Sequence, residues 1–226
     1  MKILIVSATE REISSLIKEI KADKKGDFIL NSKYKNLDLD IVVTGVGMAA
    51  TAYFMGKQLA KKQYNFCLNL GIAGCFDKEI KLGEVFNITE DCFADLGAED
   101  GERFLNMEEI NLLKQNPFMP NENIWIKNKT EIKNPIFSEI KKVKGITVNK
   151  VHGNKASIEQ VKTLFNPIVE SMEGAAFLQI CSLENISCAQ IRSISNYVEE
   201  RNLAKWNINL AIQRLNETAI KILNAF

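Results

Sequence analysis

The chain has 226 residues, of which 46% are hydrophobic and 25% are charged, and its formal net charge is +1. This size allows a sizeable core in one large domain or two small ones, and the composition is that of an ordinary globular protein. Such a charge gives no basis for binding nucleic acid or an anionic membrane surface, and no apolar run reaches the length of a membrane span. We therefore expect neither partner.

The cysteines and the N-terminal residues of the chain indicate the cellular compartment in which the protein works. The cysteines are odd in number, lack metal-site spacing and mostly stand in apolar surroundings. Buried thiols in a reducing compartment explain this better than disulfides or a metal site. The first apolar run is too short for the core of a signal peptide. The sequence therefore predicts a cytoplasmic protein without a bound metal ion.

Apolar runs and helical periodicity give the elements of the first half of the chain. Glu12 falls in the first turn of a predicted helix, where a carboxylate can simply complement the helix dipole. The predicted elements are a strand at 2–6, a helix from about Glu10, a hairpin at 24–40, a strand at 39–44, a helix up to about Lys61 and a strand at 66–70.

Two glycine segments follow these strands. GVGMAA at 45–50 formally fits a dinucleotide-binding pattern, but the next strand ends in GIAG at 71–74 rather than in an acidic ribose ligand. We therefore exclude NAD and expect no cofactor. The glycines predict tight turns and close helix–sheet packing beside a small ligand.

The middle of the chain is less informative. After a strand near 82–88, the loop 91–100 carries four acids, but no histidine or clustered cysteine accompanies them as a metal site would suggest. Residues 107–143 are irregular, and such a segment often covers a site or meets a partner subunit. A strand at 145–151 and a helix from about Ser157 follow. Near their junction lies the single histidine, His152, and a lone histidine is more often a structural hydrogen-bonding residue than a catalyst.

The segment 170–201 organises the chain. Glu173 stands at a helix start after Met172, and a buried strand at 189–194 delivers Asn196 at its carboxyl end. The loop that follows leads to a long helix predicted from Leu203. Ligands of open α/β sheets bind at the carboxyl ends of strands. The sequence therefore predicts that Glu173, Met172 and Asn196 face one pocket.

MEGAA at 172–176, followed by IRSISN at 191–196, resembles the purine nucleoside phosphorylase and nucleosidase superfamily. Within it, FADLGAED at 93–100 and SNYVEERN at 195–202 are similar to the futalosine-hydrolase branch. The resemblance covers nearly the whole chain. It implies a single three-layer α/β/α domain over residues 1–226, built around a mixed central sheet. It also implies a homo-oligomer, a dimer or larger, in which a neighbouring subunit often completes the wall near the 5′ substituent.

The reaction that the resemblance implies is hydrolysis of the N-ribosidic bond of a purine nucleoside, here futalosine in menaquinone biosynthesis. Glu12 matches the acid that activates the attacking water. Glu173 would accept hydrogen bonds from the ribose hydroxyls and stabilise the cationic sugar, while Met172 would cover the sugar face. The segment Ile72, Ala73 and Gly74 would line the ribose and the base.

Two departures from the adenine-cleaving relatives bear on the base. Methylthioadenosine nucleosidases typically have serine where this chain has Ile72, and adenine-cleaving relatives have aspartic acid where it has Asn196. An amide cannot deliver a proton, but its NH₂ can donate to O6 or N7 of a 6-oxopurine. The two departures therefore favour a hypoxanthine nucleoside, although a turn-capping role explains Asn196 by itself equally well.

Other functions stay open. The chain could cleave methylthioadenosine, S-adenosylhomocysteine or aminodeoxyfutalosine, or it could bind a purine nucleoside without turnover. A phosphorylase is disfavoured because Arg11 is the only arginine near the first two strand ends. Near the 5′ substituent, Phe118 and Trp125 could line the wall or merely pack, and Arg201 is a candidate to bind it.

Overall fold

The structure is a computed structural model, and it describes residues 1–114 and 123–226. Phe118, a candidate for the cavity wall, lies outside the described residues. The strands are β1 Lys2–Ser7, β2 Asp23–Gly26, β3 Ile29–Tyr34, β4 Leu37–Val43, β5 Phe66–Cys75, β6 Val85–Asp91, β7 Gly97–Asp100, β8 Arg103–Asn106, β9 Ile126–Lys127, β10 Lys141–Thr147, β11 Val169–Ser171 and β12 Cys188–Tyr197. The α-helices are α1 Ser14–Glu19, α2 Met48–Leu59, α3 Ile136–Glu139, α4 Lys155–Phe165, α5 Gly174–Leu183 and α6 Ile208–Asn224.

Ten of these strands form one mixed sheet, in the order β11-β10-β6-β12-β5-β1-β4-β3-β2 with β9 beside β6. Strands β1, β5 and β12 run parallel, so their carboxyl ends meet at one edge. Strand β11 pairs with β10 on one side and antiparallel with β5 on the other. This double pairing closes β5, β12, β6, β10 and β11 into a five-stranded ring.

Helices cover both faces of the sheet because the central strands are apolar on both sides. Successive side chains of a strand point to opposite faces. Ile3 and Ile5 of β1 join the core under α1 and α6, whereas Leu4 and Val6 join the core under α2 and α5. All four are completely buried. This arrangement confirms the predicted α/β fold with three layers around a mixed sheet.

The predicted glycine turn after Leu70 is wrong, because β5 continues through the glycines to Cys75. A Cβ at Gly71 would lie 2.6 Å from Arg192 Nη1, and one at Gly74 would lie 2.9 Å from Val198 Cγ2. The glycines therefore allow β12 and the loop after it to approach β5 closely. They do not serve to turn the chain.

Two predicted helix starts are also wrong. Helix α1 begins at Ser14 and not near Glu10, because Glu12 accepts hydrogen bonds from the backbone and hydroxyl of Thr9 and folds this segment into a turn. Helix α6 begins at Ile208 and not at Leu203, since the Asn207 side chain caps it by accepting from Leu210 N at 3.2 Å.

Three smaller corrections concern strands. β10 spans Lys141–Thr147 and not 145–151, because it pairs with β6 from Lys141 onward. Part of the acidic loop 91–100 forms β7, which pairs with β8. β12 runs on to Tyr197, so Asn196 lies within the strand and not after it. The hairpin predicted at 24–40 is confirmed by the antiparallel pairing of β2 with β3.

Within the described ranges, no helix has the length and apolar character that a membrane crossing needs.

Candidate active site

A cavity of about 460 Å³ opens where β1, β5 and β12 end and where β11 leads into α5. This volume falls in the range of small-molecule sites. The seven residues that the sequence assigned to catalysis or to binding of the ribose and base line this cavity, namely Glu12, Ile72, Ala73, Gly74, Met172, Glu173 and Asn196. The structure thus brings together residues spread over about 180 positions of the chain.

Glu12 is held rigidly although it lies outside a helix. Its Oε2 accepts from Thr9 N at 3.0 Å and from Thr9 Oγ1 at 2.8 Å, and its Oε1 accepts from Ile72 N at 3.0 Å. From α6, Asn216 Nδ2 donates to the Glu12 carbonyl at 2.7 Å. The carboxylate is thus held by Thr9 and by β5, the backbone of Glu12 is held by α6, and the side chain lines the cavity.

Glu173 begins α5, and its carboxylate reaches across to the loop before α2. Oε1 accepts from Gly47 N at 3.0 Å. Gly47 has a φ of 100°, a conformation that favours glycine. Burial raises the pKa of the Glu173 carboxyl above its ordinary value, while Arg192 and the Gly47 amide oppose the rise and Glu12 adds to it. Two acids therefore share one weakly solvated space.

Arg192, which the sequence interpretation missed, lies behind the cavity lining and next to Glu173. It lies on β12, only 1% exposed, with Nη2 4.0 Å from Glu173 Oε2. Its Nη1 and the Glu12 Oε1 both lie close to Gly71, at 2.6 and 3.3 Å from the position that a Cβ would take there. Among the described residues, Nε and Nη2 of Arg192 have no hydrogen-bond partner. The one available signal was a charged residue inside a strand predicted to be buried.

The amide of Asn196 is oriented by its neighbours. Its Oδ1 accepts from Ser195 Oγ at 2.8 Å, and its Nδ2 donates to Tyr197 O at 3.1 Å. One N–H of the amide is not used in these contacts. Asn196 also pairs with Gly74 across the sheet, where β12 shifts register. The cavity is therefore offered a hydrogen-bond donor at this point.

Of three further aromatic and basic residues, two line the cavity and one does not. Arg201 and Trp206 line it, with the guanidinium 5.2 Å from the indole ring centroid. Arg201, the sequence candidate for binding the 5′ substituent, is thus a residue of this cavity. Trp125 packs against Phe165 with ring centroids 6.3 Å apart and is not among the residues that line the cavity. For Trp125 the packing alternative is the correct one.

The acids of the segment 91–100 have separate partners. Asp91 is completely buried and accepts from Thr147 Oγ1 at 2.9 Å, while Asp95 accepts from Asn149 N at 2.6 Å near the surface. In the described part of the chain, no group of three or more His, Cys, Asp or Glu side chains is arranged to hold a metal ion.

The fold is that of the nucleoside phosphorylases and nucleosidases. The family model described as Phosphorylase superfamily matches residues 2–226, and the chain belongs to that superfamily. The membership in this superfamily that the sequence motifs predicted is therefore confirmed.

The chain is similar to nucleosidases that act on different purine nucleosides. The chain is 24% identical over 212 residues to the aminodeoxyfutalosine nucleosidase of Campylobacter jejuni, covering 89% of this chain and 88% of the relative. It is 24% identical over 186 residues to the futalosine hydrolase of Thermus thermophilus, covering 80% and 79%. A structure of the Helicobacter pylori 5′-methylthioadenosine/S-adenosylhomocysteine nucleosidase superposes with a TM-score of 0.83 at 17% identity, over 100% of this chain and 99% of that one. The enzyme class, an N-glycosyl hydrolase, is confirmed, and the relatives differ in substrate.

Proposed function

We propose that this enzyme hydrolyses the N-ribosidic bond of futalosine, releasing hypoxanthine and dehypoxanthine futalosine in menaquinone biosynthesis, without a metal ion or cofactor. The observation that carries the proposal is the convergence of Glu12, Glu173 and the amide of Asn196 on one cavity. Each of these groups answers one requirement of the reaction, and the relatives named futalosine hydrolase support the choice of substrate.

Cleavage of an N-ribosidic bond builds positive charge on the sugar and negative charge on the departing base. In the proposed mechanism, Glu12 takes a proton from the attacking water as general base. Glu173 accepts hydrogen bonds from the ribose hydroxyls and stabilises the cationic sugar through its charge. Arg192, beside Glu173, favours the ionised carboxylate that both roles need. Met172 covers the sugar with an apolar surface.

The proposed base is a 6-oxopurine. Asn196 offers one N–H to the cavity, while its Oδ1 already accepts from Ser195. A 6-oxopurine presents acceptors at O6 and N7, so a donor suits it and stabilises the negative charge that spreads over these atoms. Adenine would place an amino group there, which needs an acceptor. This contrast favours futalosine over aminodeoxyfutalosine or methylthioadenosine.

Arg192 also bears on the phosphorylase alternative. It adds a buried arginine, which lies 4.0 Å from the Glu173 carboxylate. Arg11 and Arg201 also line the cavity, but both are exposed and Arg201 lies over the Trp206 ring, so the three guanidinium groups do not converge on one point. A phosphate dianion in such sites needs several converging arginines. We therefore keep water as the proposed nucleophile.

The experiment is a substrate panel with the purified chain in phosphate-free buffer. Futalosine, aminodeoxyfutalosine, methylthioadenosine and inosine are incubated separately, and chromatography reports the free base. We expect hypoxanthine from futalosine and little base from the other three. Adenine release would contradict the choice of base, and release that requires added phosphate would contradict hydrolysis. Binding of futalosine without release of any base would support a nucleoside-binding protein instead.

We further propose that residues 1–226 act as one domain, in the cytoplasm, and that the molecule is a homo-oligomer. Support for the oligomer comes from apolar side chains on and beside α2. Val46, Tyr53 and Phe28 are among the large hydrophobic residues that are exposed. Phe54 lies between Phe28 and Tyr53, with ring centroids 4.6 and 5.0 Å away. Because Val46 also lines the cavity, a neighbouring subunit here would adjoin the active site.

A further inference from the structure

The active-site cavity holds one pair of groups that the proposed mechanism has not used. His152, the single histidine of the chain, lines the cavity together with Glu170. The imidazole Nδ1 is hydrogen-bonded to Glu170 Oε2, and the His152 backbone N–H donates to Glu170 Oε1 at 3.0 Å. The Glu170 side chain is 3% exposed and the imidazole 16%. A buried carboxylate that binds both the backbone and the ring fixes the ring, and Nε2 is the ring nitrogen that Glu170 does not engage.

The sheet places this pair opposite Asn196. Gly74 of β5 is the Cα partner of Glu170 in β11 and also of Asn196 in β12. Neighbouring strands lie about 5 Å apart, so the two residues flank Gly74 at a separation of about 10 Å between their strands. A purine lying over Gly74 would have the Asn196 amide on one side and His152 on the other.

The mechanism proposed above lacks a proton donor for the departing purine. A purine that departs with the electrons of its bond to the ribose must gain a proton, and the amide of Asn196 cannot supply one. An imidazolium can, because histidine changes its protonation state near neutral pH. Resting on the function proposed above, we propose that His152, oriented by Glu170, is the acid that protonates the departing purine.

The proton and electron balance is complete with groups already named. The bond between C1′ and the purine nitrogen breaks, and its electron pair stays with the purine. Water adds its oxygen to C1′ and gives a proton to Glu12. The His152 imidazolium gives its Nε2 proton to the purine and becomes neutral imidazole. Solvent then takes the proton from Glu12 and returns one to His152, so the net reaction consumes one water.

Other charges surround the imidazole at a greater remove than Glu170. Arg201 approaches the same loop, since a Cβ at Gly153 would lie 3.8 Å from Arg201 Cβ. The remaining charges are of both signs and line the two cavities that His152 borders: Arg11, Glu12, Glu173 and Glu199 on the active-site side, and Asp95, Glu99, Glu102, Arg103 and Lys150 on the other. Among residues 1–114 and 123–226, Glu170 is the charged group hydrogen-bonded to the ring, so it is the partner to change in a test.

The test compares kcat as a function of pH for futalosine hydrolysis by the wild type, His152→Asn and Glu170→Gln. Asparagine keeps an amide N–H near the position of Nδ1, so the contact with Glu170 survives while the titrating ring is lost. We expect His152→Asn to lower kcat about 100-fold or more with little change in KM, and to remove the fall in kcat on the alkaline side. Glu170→Gln should shift that fall to lower pH, because the imidazolium loses its counter-charge. The matched control is Glu159→Gln, which removes an exposed carboxylate of α4.

The outcomes separate this proposal from the proposed function. A wild type that cleaves futalosine, together with a His152→Asn variant whose kcat stays within about threefold, overturns the acid role and leaves the function standing. A large loss of kcat with an unchanged pH profile also overturns it, because a purely structural role would act so. If the wild type releases no base from futalosine, both proposals fail. If His152→Asn does not fold, the shift expected for Glu170→Gln decides.

Discussion

Arg192 joins the two acids of the active site into one electrostatic unit. A guanidinium buried this deeply is costly unless negative charge compensates it. The nearest compensation is Glu173, 4.0 Å away, and the carboxylate of Glu12 faces the same space over Gly71. Removing the charge of either acid therefore changes the field felt by the other, so single variants at this site should not have additive effects.

Glu12→Gln tests the proposed general base. We expect kcat for futalosine to fall at least about 100-fold, because the amide cannot take a proton from water, while KM changes little. The control is Glu10→Gln, two residues away, whose carboxylate is exposed and pairs with Lys24 on the surface. Steady-state kinetics of both variants check the prediction, and a Glu12→Gln enzyme with wild-type kcat would refute the role.

Residues of the site differed in how far the sequence could identify them. Glu12, Glu173 and Asn196 are polar residues at strand ends or at a helix start, and such positions point to a ligand on general grounds. Arg192 lies in the middle of a strand, where a charge gives no such signal until its partners are known. The contact of His152 with Glu170 depends on β11 lying beside β10. Their place opposite Asn196 depends on β11 also lying beside β5, a pairing between residues about 95 positions apart that no local pattern encodes.

At the scale of elements, the start of α5 is anchored by a buried polar network. Asp91 of β6 accepts from Thr147 Oγ1 of β10 and from Gln190 Nε2 of β12, at 2.9 and 3.0 Å. Thr147 Oγ1 in turn accepts from Ala175 N, in the first turn of α5, at 2.7 Å. The network ties the helix that follows Glu173 to three strands.

Asp91→Asn tests the cost of this network. Burial raises the pKa of Asp91 to about 6, above the ordinary aspartate value of about 4. The folded state thus binds this proton more tightly than the unfolded state, so stability from this group is complete below about pH 4 and declines as the pH rises through about 6. We expect Asp91→Asn to remove this decline and to be more stable than the wild type at pH 7.5 by up to roughly 3 kcal/mol.

The measurement is urea unfolding of both proteins at several values between pH 4 and 8. The asparagine can be satisfied if the Gln190 amide rotates and presents Oε1, which has no partner among the described residues. A difference in stability that does not vary with pH would show that Asp91 does not titrate in this range.

The strands β5 and β12 show where prediction from sequence reaches its limit. Their apolar first halves are correctly predicted, but both run beyond the predicted ends. Glycine is favoured in turns and equally tolerated where another chain approaches closely, and local sequence does not separate the two. The deciding atoms at Gly71 belong to Arg192, more than a hundred residues further along the chain.

Gly71→Ala tests this close approach. An added Cβ would lie 2.6 Å from Arg192 Nη1 and 3.3 Å from Glu12 Oε1, so one of these side chains must move. We expect the kcat of the folded variant to fall at least about tenfold, because the displaced side chain belongs to the active site. A loss of stability alone would lower the amount of folded enzyme but not its kcat. Gly56→Ala in α2 is the control, because its Cβ meets nothing within 4 Å. Kinetics and thermal unfolding of both variants check the difference.

At the scale of the whole molecule, the surface at α2 predicts self-association. Tyr53 is 60% exposed and Phe28 47%, and both rings contact Phe54, so large apolar groups are exposed together at this surface. We expect analytical ultracentrifugation to find a dimer or larger, and Tyr53→Glu to shift it toward the monomer because the charge would be buried. The control is Glu139→Lys in α3, which packs with α6 and lies in the opposite helix layer. A wild type that sediments as a monomer at micromolar concentration would contradict the prediction.

The closed ring of five strands has a consequence for how this enzyme can be re-engineered. Gly74, Glu170 and Asn196 are fixed within the ring, where a change of register in one strand disturbs both of its neighbours. Arg201 and Trp206 belong to the loop between β12 and α6, outside every strand. Libraries that randomise residues 199–206 should therefore yield folded proteins with altered side-group selectivity, whereas libraries in the ring should yield mostly proteins that fail to fold.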